Sequence, residues 1–308
     1  DQEINERLLP PYRVAVSENV GAVMASFNSM KEISMHANRS YILDTLKNKM
    51  NFDGIVVSDW KGYSKFGNNA IINAGIDMVM AVDGDLNFFQ KGLKKAVETN
   101  VVSKIRIDDA VRRILRQKFR LGLFKNPFPD ATFVSKIGTK AHRDKARQAV
   151  RESLVLLKND DNLLPISKLT SKIVVVGEHA NNSGLQSGGW TVNWQGSLKS
   201  YKGATTILEG IKNKSSGKVV YDKEASAAHY DADLAIVVVG ETPYAEFFGD
   251  IGHESNTRQL TLTKKHQQYI DTYSKQGVKT IVVLISGRPL VVTNQIKQSN
   301  AFVAAWLP

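Results

Sequence analysis

Residues 54–60 read GIVVSDW. An apolar, strand-like run stops abruptly at Ser58, Asp59 and Trp60. In parallel αβ folds, ligands and chemistry gather at the carboxyl ends of the strands. Asp59 is placed at such an end. A carboxylate there could simply cap a helix or sit in a loop. The neighbouring Trp60 favours chemistry. A sugar has an apolar C–H face for an aromatic plane and a rim of hydroxyls for a carboxylate.

A second set of carboxylates lies far downstream. The apolar run AIVVVG is followed by ETPYAEFFGD, which crowds Glu241, Glu246 and Asp250 among Tyr244, Phe247 and Phe248. An aromatic setting destabilises a carboxylate's charged form, which suits a general acid. The residues alone leave the choice among the three open. A third candidate is SGGWTVNWQG at 187–196: Gly188 and Gly189 permit an unusual backbone, and Trp190 and Trp194 could present aromatic faces. Other chemistries lack their patterns. VVVGEHANNSG carries neither GxGxxG nor GK[ST], so no phosphate cradle is expected. The histidines at 36, 142, 179, 229, 253 and 266 show no HxH or HExxH spacing, so no metal and no cofactor is expected.

The elements that must position these residues fall into two series. In the first, strands are expected at 21–27, 54–58 and 76–82, with helices at 38–50, 68–75, 85–100 and 106–122. Ile42, Leu46 and Met50 recur at helical spacing. Strands that are apolar at nearly every position and alternate with helices imply parallel pairing with both faces covered. FKNPFPDATF, with its two prolines, reads as a linker. The second series begins with a helix from 142 that runs into a strand ending near 160. Further strands follow at 172–180, 218–222, 232–241, 279–287 and 301–308, with a helix at 263–277 stopped by Gly277. This pattern predicts an open, mostly parallel sheet with helices on its faces.

Composition narrows the function classes. Cysteine is absent, which removes disulfides, thiolate metal sites and thiol nucleophiles. No apolar run approaches the roughly 18 residues that a membrane span needs. The net charge of +11 could serve an anionic partner. Its densest stretch, DDAVRRILRQKFRLGLF, instead reads as an amphipathic helix. Val111, Ile114, Leu115 and Phe119 form one face and the arginines a solvated other. No recognition module accompanies it, so no nucleic-acid partner is expected.

Several segments resemble one family. NFDGIVVSDWKGY resembles the nucleophile segment of glycoside hydrolase family 3, the β-glucosidase and exo-β-glucanase family. VGAVMASFNSMKEISMHANRSYILDTLKNKM resembles the strand and helix before it. NAGIDMVM, DDAVRRILRQKFRLGLF and RESLVLLKNDDNLLPI resemble the end of its barrel and the entry to its second domain. SGGWTVNWQG, VVVGETPYAEFFGD and VLISGRPLVV with AFVAAWLP resemble that second domain. The likeness runs nearly end to end and is strongest to the exo-1,3/1,4-β-glucanase type.

The resemblance implies an α/β fold: the C-terminal part of a (β/α)8 TIM-type barrel over 1–123, a linker over 124–146 and a truncated α/β sandwich with a mostly parallel sheet over 147–308. It implies a retaining mechanism with Asp59 as nucleophile and Glu246 as acid/base, a chemistry that needs the two carboxyls roughly 5 to 5.5 Å apart. Trp60 and Trp194 match an aromatic pair that clamps the sugar beyond the cleaved bond, with Trp190 beside them and Phe27 and Lys65 near the nucleophile. The implied substrate is a β-glucan or β-glucoside oligosaccharide, cleaved from its non-reducing end. A periplasmic or extracellular setting follows from the family, and no oligomeric state is implied. A β-xylosidase or α-arabinofuranosidase of the same family is the alternative. A non-catalytic carbohydrate-binding relative is disfavoured by the presence of both carboxylates.

The sequence departs from the family pattern in three ways. Lys65 stands where an arginine is usual, which replaces a planar guanidinium with a point charge. SFNSMKEISMHAN lacks the usual Trp-Asn-Gly. An eight-stranded barrel needs about five strands beyond the three read here, among them the segments that grip the sugar. The chain is therefore expected to be a piece of a longer enzyme and inactive by itself.

Overall fold

The computed structural model describes residues 2–82, 84–251 and 259–308. His253 lies outside them. The chain divides into two compact units, 1–132 and 133–308. No helix among the described residues is long and apolar enough to cross a membrane.

The first unit opens with a π-wound turn at Ile4–Leu8 and α1 (Pro10–Ser17), which leads into β1 (Ala22–Met24). A small hairpin, β2 (Ser29–Met30) and β3 (Ile33–Ser34), and a π-wound helix at Ser40–Lys49 follow. Then come β4 (Ile55–Val57), α2 (Gly62–Lys65), α3 (Asn69–Ala74), α4 (Asp85–Glu98) and α5 (Lys104–Arg120). β1 and β4 pair in parallel, Val23 opposite Val56. Ile42, Leu46, Phe52, Val56, Tyr63 and Ile71 form the core beneath them. Each such side chain contributes about 1.5–3 kcal/mol by leaving water.

Three expectations are corrected here. Residues 76–82 do not form a third strand; only a parallel bridge joins Val57 and Met78. Side chains interrupt the ladder: the Asp77 carboxylate accepts the Val56 N–H at 2.9 Å, and Ser58 Oγ accepts the Met80 N–H at 2.9 Å. β1 is not covered on both faces, since Ala22 is exposed and Met24 half exposed. α5 is turned round. Val111, Leu115 and Phe119 face water, while Arg106, Arg113 and Arg116 are turned toward the unit. Arg106 donates to the Ile72 and Ile76 carbonyls, and Arg113 to those of Phe52 and Gly54. Arg116 donates to the Asp53 carbonyl, and Arg120 pairs with the Asp53 carboxylate. Loop carbonyls around β4 need donors, and a guanidinium offers five in a fixed fork.

At the centre of this cluster Lys47 meets Asp77 at 2.6 Å, both side chains fully buried. Arg106 also pairs with Asp77, and Arg113 reaches Asp109 at 2.9 Å. Burial is the main influence on the Lys47 ammonium and lowers its pKa to about 8 despite Asp77. Removing Asp77 would leave that ammonium buried without its nearest counter-charge and the Val56 N–H unpaired. Asp77→Ala is expected to destabilise the first unit by about 3–5 kcal/mol. Chemical denaturation checks this; a loss under about 1 kcal/mol would mean that the pair behaves like a surface one.

The second unit contains α6 (Lys140–Ser153), which begins inside the stretch read as linker, and β5 (Val155–Asn159). β6 (Lys172–Val176), α7 (Ser183–Ser187), α8 (Ile207–Lys214), β7 (Lys218–Asp222) and β8 (Leu234–Gly240) follow. α9 (Lys264–Lys275), β9 (Thr280–Ile285), α10 (Thr293–Gln298) and β10 (Ala301–Trp306) complete it. Its six strands lie in the order β5-β10-β9-β8-β6-β7. All pairs are parallel except β5 with β10. β8 is buried at all seven positions, as a central strand covered on both faces must be. Capping explains the helix starts: Thr206 and Glu209 form a capping box on α8, and Thr263 Oγ1 accepts the His266 N–H on α9.

Candidate functional site

In the first unit Asp59 follows β4 at its carboxyl end. Its backbone is held on both sides. The Asp59 N–H donates to His36 Nε2 at 2.9 Å, and its carbonyl accepts Ser58 Oγ at 2.8 Å and the Gly62 N–H at 3.0 Å. Oδ1 accepts the Trp60 N–H at 2.6 Å. Lys61, just beyond, takes a left-handed backbone, which turns the chain sharply after the carboxylate. His36 is fully buried and stacks on Phe66 with ring centroids 4.4 Å apart. Burial lowers its pKa, against the pull of Asp59. A neutral imidazole can accept the Asp59 N–H; an imidazolium cannot.

Phe27 packs edge-on to Phe66 at 5.1 Å, and Lys65 Nζ lies 4.8 Å over the Phe27 ring. Asp59, Phe27 and Lys65 thus share one neighbourhood, joined through His36 and Phe66. Trp60 is half exposed beside it. The roles of His36, Ser58 and Phe66 have no signature in the local sequence; their signal is only in the burial.

In the second unit the chain leaves β6 for β7 on one side and returns to β8 on the other. That reversal opens a crevice at the carboxyl ends of β6 and β8, where open αβ sheets bind ligands. The candidate loops occupy this end. Glu241 follows β8 and is not free. Its carboxylate pairs with Arg288 at 2.8 Å and accepts the Tyr244 hydroxyl at 3.0 Å. The Arg288 guanidinium also lies 4.8 Å over the Tyr244 ring and donates to the Gly249 carbonyl. Asp250 is exposed just past the loop's short 3-10 turn. Glu246 is exposed and has φ +50. A left-handed glutamate is strained by about 1–2 kcal/mol, and strain of this kind gathers at functional sites.

The tryptophan loop lies against the Glu246 loop. Gln195 donates to the Ala245 carbonyl at 3.0 Å and accepts the Ala245 N–H at 2.9 Å. A Cβ on Gly189 would lie 2.1 Å from the Tyr244 carbonyl oxygen, so only glycine allows this approach. Trp190 and Val192 both have positive φ, and the Trp190 N–H donates to the Trp194 carbonyl at 2.9 Å. Trp194 meets Trp190 at 6.5 Å and Phe248 edge-on at 5.9 Å. Trp190, Trp194 and Phe248 are therefore brought together as an aromatic cluster, and the exposed Glu246 lies two residues before Phe248 in the same short turn. Arg288 and Gln195, which organise it, carry no local signal in the sequence.

Comparison with known proteins agrees in both units. Residues 1–117 match the Glycosyl hydrolase family 3 N terminal domain, and residues 154–308 match the Glycosyl hydrolase family 3 C-terminal domain. A lysosomal beta glucosidase of Dictyostelium discoideum is 30% identical over the whole chain, which covers 41% of that protein. The chain superposes on the exo-1,3/1,4-beta-glucanase of a Pseudoalteromonas species with a TM-score of 0.84 and 38% identity, over 94% of this chain and 48% of that one. A beta-glucosidase of Listeria innocua in complex with gluconolactone gives 0.83 and 27%, over 97% and 42%. The chain spans under half the length of these relatives. With both family domains matched and an α/β fold shared with solved family members, the chain belongs to glycosyl hydrolase family 3.

Proposed function

We propose that this chain carries the two catalytic carboxylates of a retaining, exo-acting β-glucosidase or β-glucanase. In this reading residues 1–123 are the last part of a (β/α)8 barrel, 124–146 a linker and 147–308 an α/β sandwich. Asp59 attacks the anomeric carbon while Glu246 protonates the departing glycosidic oxygen. Glu246 then takes a proton from water, whose oxygen displaces Asp59 and frees the sugar. The observation that carries the reading is the contrast between Glu241 and Glu246. The first has its carboxylate held by Arg288 and Tyr244; the second is exposed, in the same short turn as Phe248, which meets Trp194. The names of the glucosidase and glucanase relatives support glucose as the sugar released. A beta-xylosidase of Formosa agariphila, 28% identical, supports the second reading, a pentosidase. Hydrolysis rates of aryl β-glucoside, β-xyloside and α-arabinofuranoside by the protein that carries this chain decide between them. No turnover of any of the three would overturn both.

Trp60 and Trp194 are assigned to the sugar beyond the cleaved bond. Replacing either with alanine is expected to reduce kcat/KM for a glucan trisaccharide by about 3–10-fold, with a smaller loss on a simple aryl glucoside. Equal losses on both substrates would mark the tryptophans as structural.

A further inference from the structure

Three residues at the crevice end of the second sheet have no part in the chemistry above. β6 ends at Val176. Gly177, at φ +96, turns the chain where a Cβ would strike the Val238 carbonyl oxygen at 2.3 Å. The short turn that follows holds Glu178, half-buried, and His179, 1% exposed. His266, 6% exposed, sits in the first turn of α9. The two imidazoles meet edge to face with centroids 5.1 Å apart. One donor atom from each of Glu178, His179 and His266 lies within 4.8 Å of the others.

The hydrogen bonds determine which atoms are available. His179 Nε2 lies 3.1 Å from the Glu241 carbonyl, which can only accept, so the proton is on Nε2 and Nδ1 carries a lone pair. The Nδ1 atoms of both histidines are buried and without a partner among the described residues. Burial lowers the pKa of both rings, that of His266 to about 4 with help from His179 and Lys265. In His179 one ring nitrogen is bonded to a backbone carbonyl while the other is bare and desolvated, the arrangement that orients a metal-ligating histidine.

We propose that Glu178, His179 and His266 form a binding site for a divalent cation, zinc in particular. Two imidazole nitrogens and one carboxylate suit zinc; calcium and magnesium prefer all-oxygen sets. Glu178 offsets half of the cation's charge. Lys265 is the adverse neighbour, but Glu224 holds it at 2.9 Å. A tetrahedral zinc ion spaces its nitrogen ligands about 3.3 Å apart, so the side chains must close slightly. The cation would tie the end of β6 to the start of α9. Through the Glu241 carbonyl it would also brace the segment leading to Glu246.

Untagged protein carrying this chain is stripped with a chelator, dialysed and titrated with zinc by calorimetry and with cobalt by visible absorption. The expected result is one equivalent bound, an intense tetrahedral cobalt band and a melting temperature several degrees higher with zinc. His266→Ala should weaken binding by about 100-fold and Glu178→Gln by about 10-fold. Glu178 is only half-buried, so the second variant keeps the test sound if the first folds poorly. No stoichiometric binding at millimolar zinc, or full affinity in both variants, would overturn the site and leave a bridging water as the partner of the two nitrogens.

Discussion

Replacing Asp59 with alanine is expected to lower kcat on an aryl β-glucoside by about 10⁴-fold or more, a loss of about 5.5 kcal/mol of transition-state stabilisation. The size follows from the role. A missing nucleophile forces water to attack an unactivated acetal with no covalent intermediate to divide the barrier. The geometry makes the test clean. The Asp59 N–H and carbonyl are fixed by His36, Ser58 and Gly62, and none of these bonds involves the carboxylate. Among the described residues, the Oδ1 hydrogen bond with the Trp60 N–H and the pull on His36 are what disappear. The melting temperature should therefore shift by a few degrees at most while turnover collapses. A 2-deoxy-2-fluoro glucoside should label Asp59 covalently, read by peptide mass spectrometry. A label on any other carboxylate would remove the assignment.

The loss on removing Glu246 should depend on the leaving group. Glu246→Ala is expected to slow hydrolysis of oligosaccharides by about 10²–10⁴-fold, the usual contribution of a general acid. Dinitrophenyl glucosides, which depart without protonation, should accumulate as glycosyl-enzyme. Azide should restore turnover and give a β-glycosyl azide, because a small anion replaces the water that Glu246 would have activated. Glu241 provides the contrast. Its removal would strip Arg288 and Tyr244 of their shared partner and should mainly cost stability. If Glu241→Ala shows the azide rescue and Glu246→Ala does not, the roles are reversed.

What can be read in the sequence follows physical range. β8 is legible because seven consecutive buried positions leave an unbroken apolar run. Asp59 is legible because the end of a strand and its carboxylate are adjacent in the chain. The choice between Glu241 and Glu246 is not, since it depends on Arg288, which arrives from the end of β9. The orientation of α5 is hidden for the same reason. Hydropathy assigns arginine to water, but Arg106 and Arg113 bury their stems and direct their donors at carbonyls from distant loops. Asp77 interrupts the expected third strand by taking the Val56 N–H on its carboxylate, which a buried Lys47 holds from a distant helix that no local pattern shows. The pairing of His179 with His266 joins a turn after β6 to a helix far along the chain, which spacing rules for metal motifs do not search.

The reciprocal bonds between Gln195 and Ala245 bear on motion as well as on position. One side chain closes a ring of two hydrogen bonds with the N–H and C=O of one residue, so the loops cannot separate by breaking a single contact. The tie falls at the residue before Glu246 and the residue after Trp194, so the alignment of carboxylate and indole is a property of the pair of loops rather than of either loop's stiffness.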